Sequence, residues 1–342
     1  MDTEMKKLTT ILLWVLSAGV LLLIVGITLT IGWRPFIGPK ARTLTSVKFE
    51  TTPQRLERGR YIANGLSGCL HCHSQHDVTQ HGAPVKIGTE GGGERMPFAH
   101  LPGQIFAPNI TPDPETGAGN WSDDQLARAI REGVGHDGRA LFTMMPYERF
   151  RSMSDEDVAS VVVYVRSLPP LRHEVPATEL VFPVKYLIRS APQPINHVVT
   201  TPDPSNQLQW GAYLVNLGGC IDCHSPVDNH HQRLPGLEFS GGQPFSGDWG
   251  SAVSVNITPD ASGISYYDEA LFIQAIRTGY VRARKLSSVM PFVAYGQLSD
   301  SDLKAMFTYL HTLSPIKHRV ENSLPPTYCK VCRQKHGAGD QN

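Results

Sequence analysis

The sequence predicts an all-α chain: one N-terminal transmembrane helix, then two tandem copies of a small helical domain with long loops. Three observations predict it. Residues 8–33 carry no charge, and at a rise of about 1.5 Å per residue such a run exceeds the roughly 20 residues that span a bilayer. Five landmarks recur in the same order along the chain, which marks a duplicated unit. Gly and Pro number 31 and 26 among 342 residues, a usage that favours short helices between turn-rich connections. With 41% hydrophobic and 18% charged residues the chain can bury a core, so disorder is excluded as its state. Its 31 basic and 31 acidic residues balance, which excludes a nucleic-acid binder working through a basic surface.

Residues 1–33 read as an anchor that stays attached. The apolar run is longer than the 7–15-residue core of a signal peptide, and it ends Thr28-Leu29-Thr30-Ile31-Gly32-Trp33-Arg34 with no small-residue cleavage site. Lys6 and Lys7 precede it, and Arg34, Lys40 and Arg42 follow it, so flanking charge does not set its orientation. Residues 34–52 form a stalk.

The repeat then occupies 53–170 and 203–318. Gly59-Arg60-Tyr61 answers Gly211-Ala212-Tyr213, and Asn109-Ile110-Thr111-Pro112-Asp113 answers Asn256-Ile257-Thr258-Pro259-Asp260. Ala129-Ile130-Arg131 answers Ala275-Ile276-Arg277, Met145-Pro146-Tyr147 answers Met290-Pro291-Phe292, and Ser154-Asp155 answers Ser299-Asp300. Each copy reads as helices around a loop-rich middle. Pro53 suits the first turn of an opening helix. Ser122 and Gln125 form a capping box for a middle helix. Ser154, followed by three acidic residues, caps a closing helix presenting Val158, Val161, Val162 and Val165 at helical spacing; Ser299 caps its counterpart. The valine run favours a strand by propensity, but cap and period favour helix. Residues 171–202 form a Pro-rich, apolar linker that should pack on the domains, and 319–342 form a tail.

The six cysteines fall in three pairs of one spacing: Cys69/Cys72, Cys220/Cys223 and Cys329/Cys332. His73 and His224 directly follow the first two pairs, and C-x-x-C-H is the c-type haem attachment motif. Thioethers to Cys69 and Cys72, and to Cys220 and Cys223, would fix two haem c groups, with His73 and His224 each offering an axial ligand. His71 and Asp222, inside the motifs, should point away from iron. A methionine thioether opposite each histidine would raise the potential. Met145 and Met290 stand at equivalent Met-Pro positions before equivalent helices; Met144 aligns with Val289, so Met145 is the ligand read here. Met153 and Met306 read as core filler, and Met96 as loop. Covalent haem attachment occurs outside the bacterial cytoplasm, so the chain reads as a single-pass inner-membrane protein with its bulk in the periplasm.

These motifs together resemble the class I cytochromes c. The Gly-x-Tyr before each haem motif, the Asn-Ile-Thr-Pro-Asp loop, the Ala-Ile-Arg helix and the Met-Pro-aromatic turn before a Ser-Asp-capped helix are similar to those of the multihaem cytochrome c subunits of membrane-bound periplasmic alcohol and gluconate dehydrogenases. The resemblance covers residues 53–318. It implies two tandem class I cytochrome c domains, and an electron-transfer protein rather than an enzyme. The redox partners it implies are a periplasmic dehydrogenase or other quinol-linked donor and a respiratory acceptor such as a terminal oxidase. Those subunits usually carry three haems, whereas Cys329-Lys330-Val331-Cys332-Arg333 lacks the histidine.

The third pair therefore reads as a local disulfide in an oxidising compartment; a metal knuckle with His336 is the second reading, and it needs further ligands. His76, His81, His100, His230 and His231 read as solvated loop residues, and Gly91-Gly92-Gly93 as a place where backbone approaches the haem edge. The alternative function is a di-haem peroxidase with one open iron site, which matching methionines in both copies oppose. The two copies carry 11 basic against 14 acidic and 7 against 10 residues, so neither has a strong electrostatic docking face.

Overall fold

A computed structural model describes residues 2–98, 101–228, 232–247 and 250–342. The N-terminal helix Asp2–Leu29 projects its apolar side chains outward with no protein against them. A short helix, Arg34–Ile37, follows it. The extended chain after that turn is docked rather than free. Arg42 hydrogen-bonds the buried carboxylates of Asp124 (2.5 and 2.9 Å) and Glu132 (2.7 Å), and Phe49 N–H donates to Asp123.

The first copy opens with the helix Pro53–Tyr61, capped by Thr52 with Pro53 in its first turn. A wider helical turn, Ile62–Leu66, leads to the short motif helix Cys69–Cys72. The middle helix Asp123–Glu132 forms the reciprocal Ser122/Gln125 capping box. A single turn, Tyr147–Phe150, precedes the closing helix Asp155–Ser167, whose Ser154 cap accepts from Asp157 N–H. The second copy repeats the order in Gln207–Leu217, Cys220–Cys223, Glu269–Thr278, Phe292–Tyr295 and Asp300–Leu310. The valine run 161–163 is helical and buried. The all-α expectation needs amending in the loops: five two-stranded antiparallel sheets lie among the described residues, with strands of two to four residues.

The Gly-x-Tyr motif has a packing reason for each half. Opening and closing helices cross so closely that a Cβ on Gly59 would lie 2.0 Å from the Ser160 carbonyl oxygen, and one on Gly211 2.0 Å from that of Ala305. The tyrosine two residues on reaches the other copy. Tyr61 OH donates to Asp302 (2.5 Å) and accepts from Ser299 N–H (3.0 Å). Tyr213 OH donates to Asp157 (2.7 Å) and accepts from Ser154 N–H (3.0 Å). Each copy thus caps the closing helix of the other, an exchange that supplies acceptors to orphan helix N-termini. Arg58, ion-paired to Asp157, lies over the Trp210 ring at 5.3 Å, and Trp210 Nε1 donates to Asp302. Ile62, Leu66, Met153, Leu214, Leu217, Leu303 and Met306 fill one hydrophobic core running through both copies.

The linker lies against the first copy. Its strand Glu179–Leu180 pairs with Gly103–Gln104, and Asn109 Nδ2 donates to the Leu171 and His173 carbonyls. Its helix Val184–Leu187 and the following turn meet Arg34–Ile37, where Arg189 donates to the Pro35 carbonyl. The tail forms a hairpin of Pro326–Tyr328 with Lys335–Gly337. The disulfide expected between Cys329 and Cys332 is absent from the structure, where both cysteines are buried in the hairpin turn. The turn already closes through the Cys329 N–H to Gln334 and Arg333 N–H to Cys329 backbone bonds.

Candidate haem sites

Each Cys-x-x-Cys segment is one helical turn, with the histidine as its C-cap: His73 N–H donates to Cys69 O and His224 N–H to Cys220 O, both at 2.9 Å. The imidazoles are oriented in the same way. His73 Nδ1 lies 2.7 Å from the Pro108 carbonyl and His224 Nδ1 2.7 Å from that of Val255. A carbonyl only accepts, so Nδ1 carries the proton and the Nε2 lone pair is left for a metal. Pro108 and Val255 immediately precede the repeated Asn-Ile-Thr-Pro-Asp loops. There Asn109 Oδ1 accepts from Thr111 N–H, and Asn256 Oδ1 from Thr258 N–H, each at 2.9 Å. That loop recurs because it holds the carbonyl that aims the histidine. Gly93 N–H and Gly241 N–H tie the His73 and His224 carbonyls from the other side.

Met145 and Met290 sit in matching turns: Tyr147 N–H donates to Met145 O, and Phe292 N–H to Met290 O, at 2.8 Å. The repeated arginine secures the next helix. Arg131 bridges the Met153 carbonyl and Asp155, and Arg277 bridges the Leu298 carbonyl and Asp300.

One cavity of about 2720 Å³ receives all of these residues, Cys69, Cys72, His73 and Met145 from the first copy and Cys220, Cys223, His224 and Met290 from the second. A single small-ligand site is roughly 300–1,000 Å³, so the space suits two large groups rather than one. Leu126, Ile130, Val161 and Val165 wall one part, and Ile257, Phe272, Ile276 and Leu310 the other. The chemistry of the donors fits covalent haem. The four cysteines line the cavity, and desolvation by the surrounding protein pushes the Cys69 and Cys220 thiols up to about 12 and Cys223 to about 11. Such a site disfavours thiolates and accommodates neutral thioethers. Burial likewise lowers the pKa of His73 and His224, which keeps their imidazoles neutral.

Arg149 was not singled out by the sequence. Its guanidinium lies beside the cysteines of both motifs and pairs with Asp222 at 3.3 Å. Its repeat counterpart is Ala294, so the missing match was the only signal. Met96 lies in a loop, as expected, and is buried there with Ile105 and Ala107 in the cavity wall beside Met144. Two histidines expected to be solvated are half-buried against ring partners. His81 packs on Phe292 (4.5 Å) and Tyr280 (5.1 Å) of the other copy, and His76 pairs with His71 at 3.2 Å. His71 thereby has a partner of its own, as Asp222 has Arg149 and Arg233. Gly91-Gly92-Gly93 does not line the cavity; it packs beneath Leu168, Leu171 and Val175, where its carbonyls and N–H groups serve the His73 loop. His100, His230 and His231 lie outside the described residues.

Residues 56–169 match the cytochrome c family. They are a cytochrome c domain. The second copy carries the same helices, loop and motif in the same order. The chain is 34% identical over 280 residues to a nicotinate dehydrogenase subunit of Pseudomonas putida, covering 75% of this chain and 21% of that one. It is 27% identical over 282 residues to the cytochrome c subunit of the alcohol dehydrogenase (quinone) of Gluconobacter oxydans, covering 76% and 55%. It is 28% identical over 261 residues to a diheme cytochrome c-type protein of Cereibacter sphaeroides, covering 73% and 83%. The chain thus spans a fifth of the nicotinate dehydrogenase subunit and about half of the alcohol dehydrogenase subunit.

Proposed function

We propose that the chain is a membrane-anchored, periplasmic cytochrome c with two haems, passing electrons from a dehydrogenase to a respiratory acceptor. The observation that carries this reading is the pair of equivalent Cys-x-x-Cys-His motifs facing one shared apolar cavity, each with a histidine aimed by a backbone carbonyl and a methionine in a matching turn. Haem c supplies one-electron transfer between ferrous and ferric iron. The chain's own residues do the rest. Cys69, Cys72, Cys220 and Cys223 would attach the groups, and His73 with Met145 and His224 with Met290 would supply the iron ligands. Two protein ligands for each iron would leave no site for peroxide, and the matching methionines therefore disfavour the peroxidase alternative. The apolar walls would surround each haem with low-dielectric side chains, which favours a raised potential.

The anchor reading is supported by the surface beside the N-terminal helix. Val181 and Phe182 of the linker, and Phe36 and Ile37 of the stalk, are exposed apolar residues, with Phe182 79% exposed. The linker helix and the Arg34–Ile37 turn meet through Arg189 and Pro35. An exposed apolar patch of this kind suits an interfacial contact. The dehydrogenase as donor is supported by the relatives named as dehydrogenase subunits.

Intact mass of the denatured protein tests the haem count: it should exceed the polypeptide by two haems, and a mass showing one or three would overturn it. Sequencing of the mature N-terminus tests the anchor; a start near residue 34 would show a cleaved leader. Enzymes that co-purify from gently solubilised membranes would identify the donor, and recovery of no dehydrogenase would overturn that part.

A further inference from the structure

The tail brings four buried side chains to one point outside the haem cavity. One donor atom from each of His318, Cys329, Cys332 and His336 lies within 4.8 Å of the others. His318 Nε2 stands 3.2 Å from His336 Nε2 and 3.4 Å from Cys329 Sγ. Tetrahedral zinc, with bonds of about 2.0–2.1 Å to nitrogen and 2.3 Å to sulfur, sets two nitrogens about 3.3 Å apart and nitrogen from sulfur about 3.6 Å. The His318–His336 and His318–Cys329 separations are close to two edges of such a tetrahedron.

The hydrogen bonds decide which atoms face inward. His318 Nδ1 lies 2.8 Å from the Ser240 carbonyl, and His336 Nδ1 2.9 Å from the Gly337 carbonyl. Both acceptors are carbonyls, so each Nδ1 carries the ring proton and each neutral ring turns its Nε2 lone pair to the centre. The two rings are 0% and 1% exposed. Two buried lone pairs facing each other at 3.2 Å are mutually unfavourable unless a cation lies between them. A disulfide between the cysteines would leave that pair unsatisfied. We propose that His318, Cys329, Cys332 and His336 hold a structural zinc ion; two thiolates with two imidazoles in a closed tetrahedral set suit zinc rather than a hard oxygen-seeking cation.

The site braces the second haem pocket. The Ser240 carbonyl that holds His318 is followed by Gly241, whose N–H donates to the His224 carbonyl at 2.7 Å. Gly242, at φ +96°, passes so close that a Cβ would lie 2.7 Å from His318 Cε1 and 3.0 Å from Cys332 Cβ. The first copy has the same arrangement without the metal. His173 Nδ1 holds the Gly92 carbonyl at 2.8 Å, and Gly93 N–H donates to the His73 carbonyl. His318 is therefore the duplicated histidine, and the tail adds three more ligands to it.

Elemental analysis of the full-length, detergent-solubilised holoprotein tests the assignment, with iron counted independently to report the haems. One zinc per chain alongside the iron is expected, and X-ray absorption at the zinc edge should show two sulfur and two nitrogen neighbours. Cys329→Ser/Cys332→Ser should lose the zinc and keep both haems. Should that variant fail to accumulate, alkylation of the wild-type protein gives the answer: both thiols should react only after unfolding with a chelator, with no prior reduction needed. Thiols that become reactive only after reduction, zinc at background, or a different metal in stoichiometric amount would each overturn the proposal.

Discussion

Tyr213→Phe isolates the exchange of helix caps between the two copies. The substitution removes only the hydroxyl, which donates to Asp157 at 2.7 Å and accepts from the buried Ser154 N–H at 3.0 Å. The carboxylate keeps Arg58, but the N–H loses its acceptor and stays buried. A buried hydrogen bond to a charged group contributes about 1.5–3 kcal/mol, and an orphaned buried donor costs about 1–3 kcal/mol. Because the two losses share one hydroxyl, they combine to a destabilisation of about 2–4 kcal/mol. For a body of this size each kcal/mol lowers Tm by roughly 2–4 °C, so a drop of at least about 4 °C is expected. Tyr61→Phe removes the mirror-image hydroxyl, but the Ser299 end is exposed and water can replace it. It should cost less than half as much. Thermal unfolding of the reduced holoproteins, followed by circular dichroism and haem absorbance, measures both. Equal effects, or a Tyr213→Phe shift under about 1 °C, would refute the view that the caps join the copies.

Met290→Ala should halve the near-infrared band of ferric methionine-ligated haem and lower one of two potentials while covalent attachment persists; an unchanged spectrum would assign the second iron another ligand. Gly211→Ala puts a Cβ 2.0 Å from the Ala305 carbonyl, and overpacking of this kind costs about 1–3 kcal/mol or more, read as a lower Tm with both haems still bound. Arg42→Ala leaves Asp124 and Glu132 buried without their cation, so limited proteolysis should cut residues 43–50 rapidly in the variant and slowly in the parent. Burial works against the Asp124 carboxylate, but hydrogen bonds from Arg42 and Thr45 hold its pKa below the usual value. Its contribution is therefore present above the ordinary aspartate pKa of about 3.9 and is lost as pH falls through the lower folded value. The parent's protease resistance should persist at about pH 5 and fail only in stronger acid.

What was legible in the sequence is what repeats or what a short motif encodes. Ser122 with Gln125, Ser154 and Ser299 announce their helices because capping chemistry is local. Cys69, Cys72 and His73 stand together in the chain because one helical turn presents them together. The features that were missed depend on distant partners. Arg149 reaches the second motif from the first copy, His81 inserts against Phe292, and Met96 is buried by a hairpin whose strands are too short to carry a pattern. His318 lies 11 residues before Cys329 and is brought to the cysteines only by the tail's return. Without it the third pair is short of ligands for a metal site, and a disulfide is the simpler reading.

The stalk is docked from Arg42 onward, with Arg42, Thr45 and Phe49 each fastened to the middle helix of the first copy. With the apolar helix in a bilayer, as proposed, the globular body is mounted rather than leashed. Its reach from the lipid is set by the short segment between Leu29 and Arg42 rather than by the whole length of the stalk. Encounter then becomes a search in two dimensions. A partner fixed in the same membrane at the matching height meets it by lateral diffusion alone, whereas one drifting freely in the surrounding fluid must first descend to that plane.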